Sequence, residues 1–194
     1  SEYKIKNLDL GYFETKLEAE KKVMAASQLK SLFTICVNPS TIYGFADAKK
    51  GSRKNQIKVA QGKLPFYTAG GVNVVSVDDV TDGIILALEK GSNGERYILA
   101  NENITIKELF QMIAKSAGKP APERYLPTFL LHIAGWIGDR IKKGLSSENA
   151  YTASMYHWFD NSKAKRELGF APKKSAQQAI DDSVSWMKQN GYLG

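Results

Sequence analysis

The sequence predicts an α/β protein built on a parallel sheet, and three observations carry that reading. Short apolar, partly β-branched runs at 32–37, 72–77 and 95–100 alternate with helical stretches, and strands that alternate with helices pair in parallel. The run 32–37 stops at Asn38-Pro39, as a buried strand stops at a turn. Only 32–37 and 95–100 read as fully buried, and two strands make a poor sheet. The chain is therefore expected to be part of a larger fold.

Each element has a local justification. Residues 11–26 read as a helix. At about 100° per residue, Tyr12, Lys16, Ala19, Val23 and Ala26 share one arc. Phe13, Leu17 and Met24 share the adjoining arc, with Glu14, Glu18, Lys21 and Lys22 opposite. After the strand 32–37, the polar segment 44–56 with Gly51 and Ser52 reads as a loop, and a short helix over 53–61 ends at Gly62. Gly70-Gly71 makes a turn into the strand 72–77. Asp78 or Asp79 is then expected to cap a helix reaching Lys90. Residues 91–94 form a loop before the strand 95–100. Thr105 caps a helix to Ala117, and Glu108 three residues later completes a capping box. Pro120 and Pro122 break the chain. A mostly apolar helix follows over 127–142, then a helix over 147–156 and an extended piece over 157–160. A short helix over 162–168 closes at Gly169, and a last one over 175–190 closes at Gly191.

Composition narrows the function classes. The 194 residues carry a net charge of +7, which suits nucleic acid or an anionic ligand. The basic residues are scattered, however, in pairs such as Lys49–Lys50, Arg53–Lys54, Lys142–Lys143 and Lys173–Lys174. They read as a solvated surface, and no nucleic-acid partner is expected. No apolar run approaches a membrane span and no signal peptide is evident, so no membrane partner is expected either. The single cysteine, Cys36, reads as a buried inert thiol and fits a cytoplasmic location. His132 and His157 are far apart and join no metal-ligand spacing.

Tyr12 and Lys16 are the residues with chemistry. Four apart on a helix, they share a face, and a fixed ammonium beside a phenol favours the phenolate and makes it a proton donor near neutral pH. The spacing alone arises by chance roughly once in a chain this rich in Tyr and Lys. A lysine snorkelling at a helix start fits it equally.

Several segments in order carry a resemblance. They are Tyr12-x-x-x-Lys16, then Asn38-Pro39-Ser40-Thr41-Ile42-Tyr43-Gly44, Val75-Ser76-Val77-Asp78-Asp79-Val80, Gly94-Glu95-Arg96-Tyr97-Ile98-Leu99, Phe159-Asp160-Asn161-Ser162-Lys163-Ala164 and Glu167-Leu168-Gly169. Together they resemble the C-terminal half of an extended short-chain dehydrogenase/reductase, within the NAD-dependent epimerase/dehydratase family and closest to its dihydroflavonol reductase-like branch. The resemblance spans nearly the whole chain.

It implies the C-terminal part of a Rossmann-like parallel sheet, without the N-terminal βαβ units, plus a small, mainly helical substrate domain. Residues 1–62 and 79–104 would belong to the first, and 63–78 with 105–194 to the second. The cofactor implied is NAD or NADP, with NADP favoured. Tyr12 would be the general acid/base. Lys16 would lower its pKa and hold the nicotinamide ribose. Asn38, Pro39, Ser40 and Thr41 would lie beside the nicotinamide, at the C-terminal end of a strand. Tyr43, Phe66 and Tyr156 would line the pocket for a small-molecule substrate.

Departures from the family pattern sharpen the expectation. The Gly-rich dinucleotide fingerprint is absent from the sequence. The family's catalytic Ser or Thr lies well upstream of the Tyr, and Ser1 does not replace it. Nucleotide-sugar members often carry a phosphate-binding Arg where Val72 stands here, followed by Asn73. Valine cannot pair with a pyrophosphate, which points to an apolar carbonyl substrate unless Arg53 supplies the charge. Asp78 and Asp79 read as helix caps, Trp136, Trp158 and Trp186 as core, and Lys163 as the cap of a short helix.

Two functions follow. The chain is the acid/base half of an NAD(P)-dependent oxidoreductase or epimerase, inactive alone. Alternatively it is a non-catalytic module that docks with a separate cofactor-binding chain or with itself, through the edge of 32–37 or the Tyr12 helix.

Overall fold

The computed structural model describes residues 11–29, 32–47, 53–142 and 144–193, with side chains omitted at 11–13 and 29. Ser1, the pair Lys49–Lys50, Gly51 and Ser52 of the expected loop, and Lys143 lie outside the described residues.

Two small sheets stand side by side. In the first, β1 (Ile35–Pro39) pairs in parallel with β5 (Glu95–Leu99), Cys36 opposite Arg96 and Asn38 opposite Ile98. Side chains alternate across a strand. Ile35, Val37, Tyr97 and Leu99 accordingly meet a core of Val75, Val80, Ala87, Ala164, Leu168 and Phe170, supplied largely by α3 (Val77–Lys90) and α7 (Ser162–Leu168). The opposite face carries Asn38 and Arg96 and receives α1 (Gly11–Leu29).

The second sheet is centred on β4 (Gly71–Ser76). It pairs in parallel with β2 (Thr41–Tyr43), antiparallel with β6 (Glu102–Thr105) and in parallel with β8 (Tyr156–His157). Against it pack α2 (Lys54–Ala60), α4 (Ile106–Ala117) and α8 (Ala176–Gln189), in a core of Tyr43, Val74, Ile104, Leu109, Ile113, Ile180 and Val184. A third pair, β3 (Phe66–Thr68) with β7 (Arg124–Leu126), is parallel. It precedes the helical hairpin of α5 (Thr128–Ile141) and α6 (Ser147–Ala153). Gly135 lets those two helices close, because a Cβ there would stand 2.9 Å from the Ala150 Cβ.

The mixed α/β class and the parallel pairing are as the sequence predicts, while several details differ. The most buried strand is β4, not β1. Asn73 to Ser76 are buried, whereas β1 is half-buried at best, because among the described residues it has a partner on one edge alone. Leu32 and Phe33 lie outside the strand and are exposed. The helix expected over 147–156 stops at Ala153, and the chain then joins the sheet as β8.

Capping also differs. The cap of α3 is Ser76, whose Oγ accepts the Asp79 N–H at 3.0 Å and donates to Asp79 Oδ2 at 2.9 Å. Asp79 is buried and also accepts the Lys173 N–H at 2.8 Å. Asn161, not Lys163, stands at the cap of α7; Lys163 ion-pairs with Glu95 and lies 5.0 Å over the Tyr97 ring. The capping box of Thr105 and Glu108 forms as read.

None of the tryptophans is core. Trp136 and Trp158 are exposed, and Trp186 is half-buried against Tyr192 at 5.3 Å. Cys36 is half-buried rather than buried.

Candidate functional site

Helix α1 is turned differently from the sequence pattern. Its covered side carries Leu17, Glu20, Met24 and Ser27, while Lys16, Ala19 and Val23 face outward. A polar residue, Glu20, is what seats the helix. Its carboxylate accepts the Asn38 Nδ2–H at 2.6 Å and the Arg96 Nη1–H at 2.9 Å. Partial burial alone would raise the Glu20 pKa. The hydrogen bonds from Asn38 and Arg96, with the guanidinium charge, outweigh it and hold the carboxyl below the usual glutamate range. Burial, then the Glu20 charge, push the neighbouring Cys36 thiol up, which keeps it a protonated, unreactive group.

At the C-terminal end of β1 a cleft of about 300 Å³ opens between Asn38, Pro39, Ser40, Arg96, Ile98 and Phe159. Its back wall is a hydrogen-bonded chain. Ser40 Oγ donates to Asn73 Oδ1 at 2.6 Å, and Asn73 Nδ2 donates to Asn103 Oδ1 at 2.7 Å. Asn103 in turn takes the Phe159 N–H and donates to the Phe159 carbonyl, both at 3.1 Å. An interior amide thus sets the position of an aromatic wall. Polar groups at the base with apolar walls are the usual make-up of a ligand pocket.

The sequence-predicted residues fall into three groups. Asn38, Pro39 and Ser40 meet in the cleft, and Thr41 continues from them into β2, half-buried opposite Val74. Tyr43 and Arg53 meet each other elsewhere. Tyr43 is 2% exposed, with Arg53 stacked 4.1 Å over its ring, and burial pushes its phenol pKa up. Arg53 is itself buried, bonded to Asp47 and to the Ile42 carbonyl. Phe66 lies exposed on β3, and Tyr156 lies exposed on β8, edge-on to Trp158 at 4.9 Å. The backbone of Tyr12 belongs to the first turn of α1; its side chain lies outside the described residues. Lys16 is exposed one turn on.

Glu20, Arg96 and Phe159 complete the cleft and its support; the sequence reading gives none of them a site role, although Arg96 and Phe159 stand in segments that carry the resemblance. Glu20 had a signal, since it continues the four-residue spacing from Tyr12 and Lys16. Among the described residues no group of His, Cys, Asp and Glu could hold a metal ion, and no helix is long and apolar enough to cross a membrane.

No protein-family model matches the chain. Similar curated proteins include a putative dihydroflavonol 4-reductase from Synechocystis, 30% identical over 94% of this chain and 56% of its own length. Sterol demethylase protein B of Methylococcus capsulatus is 27% identical over 94% of this chain and 58% of its own length. The chain thus spans somewhat over half the length of these relatives. Among solved structures, gox2253 is 35% identical with a TM-score of 0.76, covering 91% of this chain and 55% of its own. A nucleoside-diphosphate-sugar epimerase of Pseudomonas aeruginosa is 22% identical with a TM-score of 0.83, covering all of this chain and 60% of its own. A UDP-glucuronic acid 4-epimerase of Bacillus cereus, 20% identical with a TM-score of 0.69, covers 92% of this chain and 52% of its own and was solved with UDP-glucuronic acid and NAD.

The fold is therefore that of the Rossmann-like epimerases and dehydratases. Over nearly its whole length the chain is similar to members of the short-chain dehydrogenase/reductase family, among them dihydroflavonol reductase-like proteins and sterol dehydrogenases. Its partial coverage of each relative fits a C-terminal half.

Proposed function

We propose that the chain carries the acid/base half of an NAD(P)-dependent reductase or epimerase site. The observation that carries this reading is the Glu20–Asn38 bond, which ties the helix of Tyr12 and Lys16 to the strand end where the cleft opens. The cleft suits one end of a dinucleotide. Its volume is at the lower limit for ligand pockets, with Asn38 and Ser40 as polar groups and Pro39 and Ile98 as apolar wall. Asn38, Pro39, Ser40 and Thr41 would hold the nicotinamide end, and Lys16 its ribose. NAD or NADP, NADP being favoured, supplies hydride when bound.

The chain's own groups manage the proton. The Tyr12 phenol oxygen gives a proton to the substrate oxygen in reduction and takes one in oxidation. The Lys16 ammonium favours the phenolate form and brings the phenol's pKa toward working pH. An apolar carbonyl substrate suits the site better than a nucleotide sugar. Val72 carries no charge, the Asn73 amide bonds inward to Ser40 and Asn103, and Arg53 is held by Asp47. The sequence has no Gly-rich segment for the pyrophosphate, so the chain alone is expected to be inactive.

Titrating NADPH and NADH into the purified chain, with nicotinamide fluorescence as readout, tests the reading. Saturable binding lost in Lys16→Ala supports it, and saturable binding unchanged by Lys16→Ala removes Lys16 from the site. Carbonyl reduction by the chain alone, lost in Tyr12→Phe, would overturn the expected inactivity while keeping the pair.

A second reading is a non-catalytic module that docks with a separate cofactor-binding chain or with itself. The edge of β1 that has no strand beside it among the described residues, flanked by the exposed Leu32 and Phe33, favours it, since unpaired strand edges recruit strands. A monomer by light scattering at high concentration would count against self-association.

A further inference from the structure

We propose that α5 is a membrane-surface helix, seating the protein on anionic lipid. Its inner side, Leu131, Gly135 and Gly138, is buried, with Gly135 against Ala150 of α6. Its outer side carries Phe129, Leu130, Ile133, Trp136, Ile137 and Ile141, all between 42% and 62% exposed. By helix phase these six positions fall within one arc of about 140°. Single exposed apolar side chains are ordinary, whereas a contiguous stripe of six large ones marks an interaction surface.

Charge selects the occupant. The one ionisable residue on that arc is Arg140, whose guanidinium lies 4.5 Å over the Trp136 ring. Asp139 points away, its carboxylate accepting the Ser147 N–H at the start of α6. A second copy of the same stripe would meet Arg140 with no acidic group on its own arc. A bilayer interface supplies what the arc lacks, acyl chains for the Phe, Leu and Ile side chains and anionic headgroups for Arg140. The indole and guanidinium suit the boundary between the two. The absence of a spanning segment, which led the sequence reading to expect no membrane partner, does not bear on a helix lying flat.

The test is co-sedimentation of the purified chain with vesicles of phosphatidylcholine, alone or mixed with phosphatidylglycerol. Tryptophan emission is followed in parallel, in the wild type and in Trp136→Phe. The expected result is sedimentation with the mixed vesicles and a blue shift that Trp136→Phe removes. Ile133→Asp with Ile137→Asp, both at exposed positions, should abolish binding with the circular dichroism unchanged. Arg140→Gln should weaken binding to the mixed vesicles about fivefold. The proposal is overturned if the wild type stays in the supernatant with both vesicle types, or if the double Asp variant still sediments. It is equally overturned if that variant breaks a self-association of a chain that ignores vesicles, which would assign the face to a second copy.

Discussion

The Ser40 hydroxyl donates to the Asn73 side-chain oxygen at 2.6 Å, across from the end of one sheet to the middle strand of the other. The same oxygen accepts the Asn101 N–H at 2.9 Å. Asn73 is fully buried, so its amide replaces water for three groups, Ser40 on one segment and Asn101 and Asn103 on another. Asn73→Ala would leave the Ser40 hydroxyl, the Asn101 N–H and the Asn103 amide short of partners. A loss of about 3 kcal/mol is expected, read from urea denaturation midpoints. Ser40→Ala should cost less, because Asn73 keeps its other two bonds.

Acid stability should depend on Glu20. Its folded-state pKa lies below the ordinary value of 4.5. Its contribution is therefore complete above that value and is lost as pH falls through the lower, folded-state one. Glu20→Gln should cost under about 1 kcal/mol at neutral pH, because half-exposed ion pairs are weak. It should also flatten the decline in stability on acidification. Denaturant melts at neutral pH and at about pH 3 check both, and an unchanged acid limb would rule the role out.

The capping box of α4 permits a local test. Thr105 Oγ1 accepts the Glu108 N–H at 3.2 Å while Glu108 Oε2 accepts the Thr105 N–H at 2.7 Å. Thr105→Ala should destabilise by about 1 kcal/mol, and Thr105→Ser by little. Thermal melts of the two variants should separate accordingly.

Gly83 is a packing requirement. Both Leu99 methyls would stand 2.9 Å from a Cβ there, and Phe170 would stand at 3.0 Å. Gly83→Val should cost about 2 kcal/mol through overpacking, despite leaving a better helix former than glycine. A raised Tm would show that α3 can shift off β5.

What the sequence made legible is chiefly what local chemistry decides. α4, α7 and α8 begin and end within a residue or so of their expected bounds, because Thr105, Ser175 and the closing glycines act on adjacent backbone. β2, β3, β6 and β7 escaped notice, being three or four residues long with no apolar run. β6 is polar because its side chains are used as linkers, Glu102 accepting the Ala176 N–H and Asn103 bridging Asn73 to Phe159. On α1, helical periodicity offers two adjoining arcs and cannot choose between them. The choice rests on Glu20, a charged residue turned inward because Asn38 and Arg96 wait for it. Asn38, Pro39 and Ser40 were visible as a turn motif. Phe159 was visible only as the start of a resembling segment; its place in the cleft was not, since tertiary hydrogen bonds alone bring it there.

Two crossings between the sheets occur side by side. β1 passes into β2 through the single residue Ser40, and β5 passes into β6 through Ala100 and Asn101. The Ser40 N–H bonds the Leu99 carbonyl at 3.0 Å, so the crossings are stitched together. Such a seam acts as a double hinge with its pins locked. Sliding β1 along β5 would drag β2 along β4 in the same stroke, and neither sheet can fray without loosening the other. In native-state hydrogen exchange, the amides of Ser40 and Asn101 should therefore open together, as one cooperative unit.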